Sequence, residues 1–303
     1  MSARTVLVLG GGGFLGGRVR AACTAAGHTV RSAGRADAAP DRLPGVLAAV
    51  RPDVVVNAAG SVWGRSEEQM REDNAHFPER LLAALTALRR PPRLVQLGSV
   101  HEYSPTASGV VLTEDHPAVP VSAYGRTKLA GTRAVLAACR DGGLDGTVLR
   151  VSNVLGPGAP AESLVGVVAA RLCEVRTAGS RGVPRPLRLA PLVARRDFVD
   201  VRDVADAVLA AATASGCSGQ IVNIGTGRPL HVRELVLRMV ELSGLDVTVV
   251  EDRPTDRSRG AVSWQQIDVS RAARTLGWRP RIGLDPSLRD TLTAAFSGPA
   301  LRG

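Results

Sequence analysis

The sequence predicts an α/β protein built on a doubly wound parallel sheet. Strand-like runs recur near residues 4–9, 28–33, 53–58, 93–98, 146–151 and 220–224, and amphipathic stretches with helical spacing lie between most of them. Strands that alternate with helices argue for a parallel sheet with helices on both faces. In the C-terminal part the rhythm changes, and segments at 156–160, 179–191, 253–260 and 277–286 are punctuated by Pro and Gly. The 303 residues suffice for a large core, arranged as one big domain or two smaller ones.

The first element is the run Thr5 to Leu9, apolar and β-branched as a buried parallel strand requires. Glycines follow at 10, 13 and 16, and from Phe14 to Ala26 small and apolar residues recur at helical spacing. A glycine turn between a strand and a helix is the context in which such a motif is credible as a dinucleotide site. Glycine permits the tight turn and lets backbone approach a pyrophosphate, whose charge is stabilised by free N–H groups at the helix start. The GxxGxxG spacing makes Gly10, Gly13, Phe14, Leu15 and Gly16 candidate cofactor contacts.

Further along, Tyr124-Gly125-Arg126-Thr127-Lys128 opens a helical segment, so Tyr124 and Lys128 share one face. Lys128 is the one lysine among 38 basic residues, and Tyr124 is one of two tyrosines. Arginine serves everywhere else, which gives lysine at this position a chemical meaning. Its compact ammonium carries three rotatable donors and favours phenolate, lowering a phenol from its usual pKa of about 10. The alternative is an ordinary exposed pair at helical spacing.

Composition narrows the partners. A formal net charge of +10 invites nucleic acid, but aromatic residues make up only 3% of the chain, so stacking platforms are scarce. No run of basic residues stands out, and the arginines are read as background plus a polyanionic small ligand. No apolar stretch is long enough for a bilayer, and the first strand begins too early to leave room for a signal peptide. The cysteines at 23, 139, 173 and 217 lie far apart, with no CxxC and no clustered histidines. Metal and disulfide frameworks are therefore not expected, and a cytoplasmic protein is.

Taken in order with several further segments, these motifs resemble the extended short-chain dehydrogenase/reductases, in the epimerase/dehydratase branch that acts on nucleotide sugars. That family pairs GxxGxxG with Tyr-x-x-x-Lys and an upstream Ser or Thr. The matching segments are DVVVNAAG, REDNAHFPERLLAAL, LVQLGSVHEYS, RVSNVLGPG, RRDFVDVRDVADAV, NIGTGRPLHVRELV and DRPTDRSR, spread over nearly the whole chain. The resemblance implies a Rossmann-type domain from 1–157, with segments about 190–227 and 261–270 returning to it. It implies a smaller, discontinuous substrate lobe from 158–189, 228–260 and 271–303. Ser99, Tyr124 and Lys128 become the expected catalytic residues. Ala58, Ala59, Gly60 and Asn74 join Tyr124 and Lys128 as expected cofactor contacts. Asn153, Arg196, Arg253 and one of Arg257 or Arg259 correspond to residues that meet the sugar nucleotide, although Leu155 stands where the family has an aromatic residue. Trp63 is either a sugar-packing residue or an ordinary core or surface tryptophan. A homodimer through helices near 76–89 and 126–139 is implied as well.

Two stretches bear on the chemistry. At the end of the second strand, NAD sites usually carry an acid for the ribose hydroxyls, whereas NADP sites carry cations for the added phosphate. The stretch HTVRSAGRADAAP puts Gly34 at the acid's place, followed by Arg35, with Arg31 and Ser32 near by. NADP(H) is favoured, with NAD(H) the alternative. Asp37 is read as solvated, unless a one-turn slip of the alignment makes it the ribose acid. In relatives that dehydrate sugars, an acid and a base occupy the two positions after the catalytic Thr. Here those positions hold Val100 and His101, and valine cannot protonate a leaving hydroxyl. A 4,6-dehydratase is thus disfavoured, and the pattern resembles reductases of 4-keto-6-deoxysugars. His101 is expected at the substrate. Whether His101 or Glu102 is a base beside a ketone or only a hydrogen-bonding neighbour stays open. The expected function is NADPH-dependent reduction of a nucleoside-diphosphate keto-deoxysugar, or of a related ketone, with Tyr124 as general acid. An epimerase with the same triad and a retained cofactor is the alternative.

Overall fold

The computed structural model describes residues 2–62, 64–178, 186–253 and 263–297. In chain order the strands are β1 (Thr5–Leu9), β2 (Thr29–Ala33), β3 (Val54–Asn57), β4 (Arg93–Ser99), β5 (Val111–Leu112), β6 (Gly146–Val151), β7 (Asn153–Leu155), β8 (Leu187–Leu189), β9 (Arg195–Asp200), β10 (Gln220–Ile224), β11 (Pro229–His231), β12 (Val249–Glu251) and β13 (Gln266–Ile267). The helices are α1 (Phe14–Ala25), α2 (Leu43–Val50), α3 (Glu67–Arg71), α4 (Phe77–Thr86), α5 (Ala123–Arg140), α6 (Leu164–Ala178), α7 (Val201–Thr213), α8 (Val232–Ser243), α9 (Ser270–Leu276) and α10 (Leu284–Ser297).

The strand-like runs of the sequence form one parallel sheet in the order β10-β6-β4-β3-β1-β2. Alternate residues of each strand face opposite layers. Val6, Val8, Val54, Val56 and Val95 pack with Val19 of α1 and Val204 and Val208 of α7. Leu7, Leu9, Val55 and Leu94 pack with Leu47 of α2, Leu81 of α4 and Val135 of α5. Both faces are covered in the middle of the sheet, which explains why β1 and β3 read as near-continuous apolar runs, whereas the edge strand β2 is mostly exposed. Each fully buried Val or Leu contributes about 1.5–3 kcal/mol.

From β1 the chain passes to β2 on one side and then to β3 on the other. The crevice beyond the carboxyl ends of β1 and β3 is therefore the topological switch point, where open α/β sheets bind ligands. The C-terminal half adds two small sheets, β11-β9-β7 and β12-β8, and its β13 pairs with β5 of the N-terminal half. A separate apolar cluster with Val168 and Leu172 of α6, Leu235 of α8 and Leu288 of α10 supports those two sheets, while Leu112 of β5 and Ile267 of β13 pack with Val100 and Tyr103. Among the described residues no helix is long and apolar enough to cross a membrane.

Between α3 and α4 the helix widens into a π-turn at Glu72–His76, a feature frequent at functional sites. Gly131 of α5 lies against it, and a Cβ at 131 would sit 2.4 Å from the Asn74 carbonyl oxygen. Gly131→Ala should therefore destabilise the fold by about 1–3 kcal/mol through overpacking. Gly45→Ala in α2, where an added Cβ meets nothing within 4 Å, should stabilise by about 0.5–1 kcal/mol. Denaturant titrations of the two variants check the opposite signs; a Gly131→Ala midpoint at or above the wild-type value would contradict the close approach.

Candidate active site

At the switch point, Gly10 leaves β1 with φ +76°, and a Cβ there would lie 2.9 Å from Ala59 backbone. Gly16 sits on the inner face of α1, where a Cβ would come within 2.2 Å of the Gly10 carbonyl oxygen. Strand and helix approach this closely only because both positions lack side chains. Gly13 is the N-cap of α1 and no side chain caps it, so the N–H groups around Phe14 and Leu15 remain for an anion. Across the crevice, Ala58 N–H donates to Leu9 O at 3.1 Å and Ala59 N–H to Asn57 Oδ1 at 3.1 Å. Beyond Gly60, the Ser61 hydroxyl is buried with no hydrogen-bond partner. An uncapped helix start, a glycine cradle and an orphan buried hydroxyl fit a dinucleotide. Asn74 is spent on protein groups: Oδ1 accepts from Ser61 N–H at 3.1 Å, and Nδ2 donates to Ser61 O at 2.9 Å and Thr127 Oγ1 at 3.2 Å.

At the end of β2, the exposed Arg35 guanidinium pairs with Asp73 Oδ2 at 3.0 Å. Asp37 is exposed but not merely solvated as expected, since its Oδ2 accepts from Gly34 N–H at 3.0 Å. It folds back over the strand end beside Arg35.

Ser99 ends β4, and Tyr124 and Lys128 stand on the first turns of α5. Ser122 fixes that helix start by accepting from Gly125 N–H at 3.0 Å. Because residue 125 is glycine, α5 lies directly on the turn after β4; a Cβ there would be 2.2 Å from the His101 carbonyl oxygen. The approach brings the Tyr124 phenol beside the Ser99 side chain. Lys128 Nζ is buried and donates to Leu97 O at 2.5 Å. Gln96 Nε2 donates to the same carbonyl at 3.3 Å and Gln96 Oε1 accepts from Asn57 Nδ2 at 2.8 Å. Burial pushes Tyr124 up to about 12, against the opposing Ser99 hydrogen bond, and holds Lys128 below the usual lysine range. The lowering of the phenol by Lys128 that the sequence led us to expect is not found, because burial outweighs it and the ammonium points to Leu97. At neutral pH the phenol keeps its proton.

The His101 ring stands edge-on to Tyr124 at 5.8 Å between centroids, with Asn153 near by. Asn153 Nδ2 donates to Asp197 O at 2.9 Å and Gln265 Oε1 at 3.1 Å, and Arg196 Nη1 donates to the same Gln265 oxygen at 2.8 Å. Burial, with the Arg196 charge, pushes His101 down to about 4. A neutral imidazole so weakly basic is poorly matched to proton abstraction near pH 7. Glu102 is wholly buried and paired with Arg150 at 2.8 Å, so it does not serve as an open base either. Gln265 escaped sequence reasoning, because a lone glutamine carries no spacing signal. The Ser99-x-x-Glu102 pattern is a capping-box signature that could have marked Glu102. Arg253 is exposed just past β12. Arg257, Arg259 and Trp63 lie outside the described residues. Among the described residues, no group of three or more His, Cys, Asp or Glu is placed to hold a metal ion.

A glycine cradle at the switch point beside a half-buried tyrosine and a buried lysine sets this fold among the nicotinamide-dependent α/β oxidoreductases. A sequence model of the NAD dependent epimerase/dehydratase family matches residues 6–225, and the chain belongs to that family as an NAD(P)-dependent oxidoreductase. It is 43% identical to the Kitasatospora kifunensis protein named dTDP-6-deoxy-L-talose 4-dehydrogenase (NAD(P)(+)), over 97% of this chain and 96% of that one. With the UDP-glucose 4-epimerase of Azospirillum brasilense it shares 29% identity over 95% and 91% of the two chains. The structure of RMD from Pseudomonas aeruginosa complexed with NADPH matches with a TM-score of 0.86 at 23% identity, over 98% of this chain and 100% of that one. That last likeness concerns the fold.

The His101 shift gives a pH prediction. Its folded pKa of about 4 lies below the ordinary 6.5, so the unfolded chain binds more protons between those values and stability rises with pH there. The contribution is fully present above pH 6.5 and is lost as the pH falls through 4. Stepped-pH denaturation of His101→Asn should show a shallower loss over that window than wild type; identical slopes would remove the assignment.

Proposed function

We propose that the protein is an NADPH-dependent ketoreductase acting on the keto group of a nucleoside-diphosphate keto-deoxysugar, with Ser99, Tyr124 and Lys128 as its catalytic residues. The observation that carries this reading is geometric: Ser99 at the end of β4 and Tyr124 and Lys128 on the first turns of α5 are brought together at the carboxyl edge of the sheet. The 43% identity to a protein named for a 4-dehydrogenation of a dTDP-6-deoxy sugar supports the substrate class. The nicotinamide, when bound, supplies the hydride. Ser99 donates a hydrogen bond to the ketone oxygen, where preorganised donors stabilise developing charge. Tyr124 gives its proton to that oxygen as the alcohol forms, acting as general acid. Lys128 holds the ribose hydroxyls. His101, Asn153 and Arg196 face the sugar nucleotide, with Arg253 and Arg257 as further anion contacts.

Arg35 at the end of β2 favours NADPH, since a guanidinium grips a phosphate bidentately. In this reading it exchanges Asp73 for the 2′-phosphate. Residues 1–157, with returning segments about 190–227 and 261–270, form the cofactor domain, and 158–189, 228–260 and 271–303 the substrate lobe. The outer faces of α4 and α5 pair two copies into a symmetric dimer; sedimentation at micromolar concentration showing only monomer would refute it.

The test is loss of nicotinamide absorbance with NADPH and a panel of keto-sugar nucleotides. Tyr124→Phe keeps the ring and removes the donor, so turnover should fall roughly 10²–10⁴-fold while NADPH still binds; near-normal turnover would end the reductase reading. Turnover of a sugar nucleotide with no net cofactor consumption would favour an epimerase instead. Arg35→Ala should weaken NADPH by about tenfold or more, as a charge-assisted bond is worth about 1.5–3 kcal/mol, and barely touch NADH. Equal losses for both cofactors would overturn the role of Arg35.

A further inference from the structure

Beneath Ser99 lies a charge pair that the proposed reaction leaves without a task. Glu102 is 0% and Arg150 2% exposed. Each carboxylate oxygen has one donor: Oε1 accepts from Ser99 N–H at 2.7 Å and Oε2 from Arg150 Nε at 2.8 Å. Room for Oε1 exists because residue 98 is glycine; a Cβ there would lie 2.7 Å from it. The Arg150 guanidinium lies 4.5 Å above the Tyr103 ring, and the Tyr103 hydroxyl donates to Asn223 Oδ1 at 2.7 Å. The carboxylate is thus held from below by β6, through a ring that is itself tied to β10.

Such a pair is an expensive way to fill space. Removing two charges from water costs several kcal/mol per ion, and an apolar pair of similar volume is often as stable or more so. What the pair does that an apolar pair does not is accept a hydrogen bond from the Ser99 peptide. The other half of the capping box has the Ser99 hydroxyl oxygen accepting from His101 N–H at 3.3 Å. Together the two bonds set both the peptide and the side-chain torsion of Ser99.

We infer that Glu102, held in turn by Arg150, is a positioning residue for the reaction: it fixes the Ser99 peptide so that the hydroxyl meets the Tyr124 phenol and the substrate oxygen together. The inference rests on the catalytic reading of Ser99 and Tyr124 above. A carboxylate is needed because both of its neighbours are donors. An amide offers one accepting oxygen and one donating NH₂, so glutamine at 102 must set its NH₂ against either the Ser99 N–H or Arg150. Replacing Arg150 by methionine removes the conflict and leaves the amide oxygen free to accept from Ser99.

The experiment compares wild type, Glu102→Gln and Glu102→Gln/Arg150→Met in NADPH-dependent reduction of whichever 4-keto-6-deoxysugar nucleotide the wild type turns over. Thermal melts establish folding. Glu102→Gln should lower kcat about 10²-fold, as small misplacements remote from the chemistry do, while sugar KM and NADPH Kd stay near the wild-type values. The double variant should recover most of that kcat. An unchanged kcat in the folded single variant, a folded double variant no faster than the single, or parallel losses in KM and Kd would each overturn the inference and leave the reductase reading standing. Should the single variant not fold, the double decides alone: kcat near wild type supports the inference, and a loss of about 10²-fold in folded protein overturns it. A wild type that reduces no keto-sugar nucleotide overturns the reductase reading itself, and this inference with it.

Discussion

Asn57 in β3, Gln96 in β4, Arg150 in β6 and Asn223 in β10 are each 2% exposed or less, and register places them side by side. Asn57 is opposite Gln96, and Arg150 lies between Gly98 and Asn223. A polar seam therefore crosses the carboxyl half of a sheet that is otherwise apolar. A buried donor or acceptor left without a partner costs about 1–3 kcal/mol, so every member of the seam must be met inside the protein. Asn57 and Gln96 meet each other, Gln96 and Lys128 share the Leu97 carbonyl, and Arg150 meets Glu102. These requirements hold α5 and the turn after β4 against the strand ends, where the candidate catalytic groups stand.

A second buried carboxylate does the same work for the substrate side. Asp197, wholly buried in β9, accepts from Thr226 N–H at 2.8 Å, Gly227 N–H at 2.6 Å and the Ser152 hydroxyl at 3.2 Å. Its own carbonyl receives Asn153 Nδ2. One side chain thereby ties β9 to the turns after β6 and β10. Arg196 precedes Asp197 in sequence, so its guanidinium is delivered next to Asn153 and Gln265 by the same anchor.

The charge inventory follows from these pairings. Glu102 is committed to Arg150, His101 is neutral at physiological pH, and Tyr124 keeps its proton. Arg196 supplies positive charge to the same region, and Lys128 Nζ adds a donor. An arrangement of proton donors and cations suits delivery of a proton to an oxygen that is gaining negative charge. It suits removal of a proton from carbon poorly, since that step needs a base poised near the working pH.

Much of this was legible in the chain itself. Strand-like runs located all six strands of the large sheet, most plainly β1 and β3, where cover on both faces favours apolar residues; β2, at the sheet edge, is mostly exposed. Glycines at 10, 13 and 16 marked the cradle, and at 10 and 16 no other residue permits the backbone approaches found there; the spacing of Tyr124 and Lys128 on one helix follows from helical geometry alone. The sequence did not disclose that Glu102 pairs with a residue 48 positions away, that Arg35 meets Asp73 in another segment, or that Gln265 joins Asn153 to Arg196. Nor did it disclose the direction in which Tyr124 is shifted. Local pattern determines which segments become strands and helices and where the glycine turn falls. Burial and long-range hydrogen bonding set proton affinities and ion partners, and these exist only once segments far apart in sequence are packed away from water.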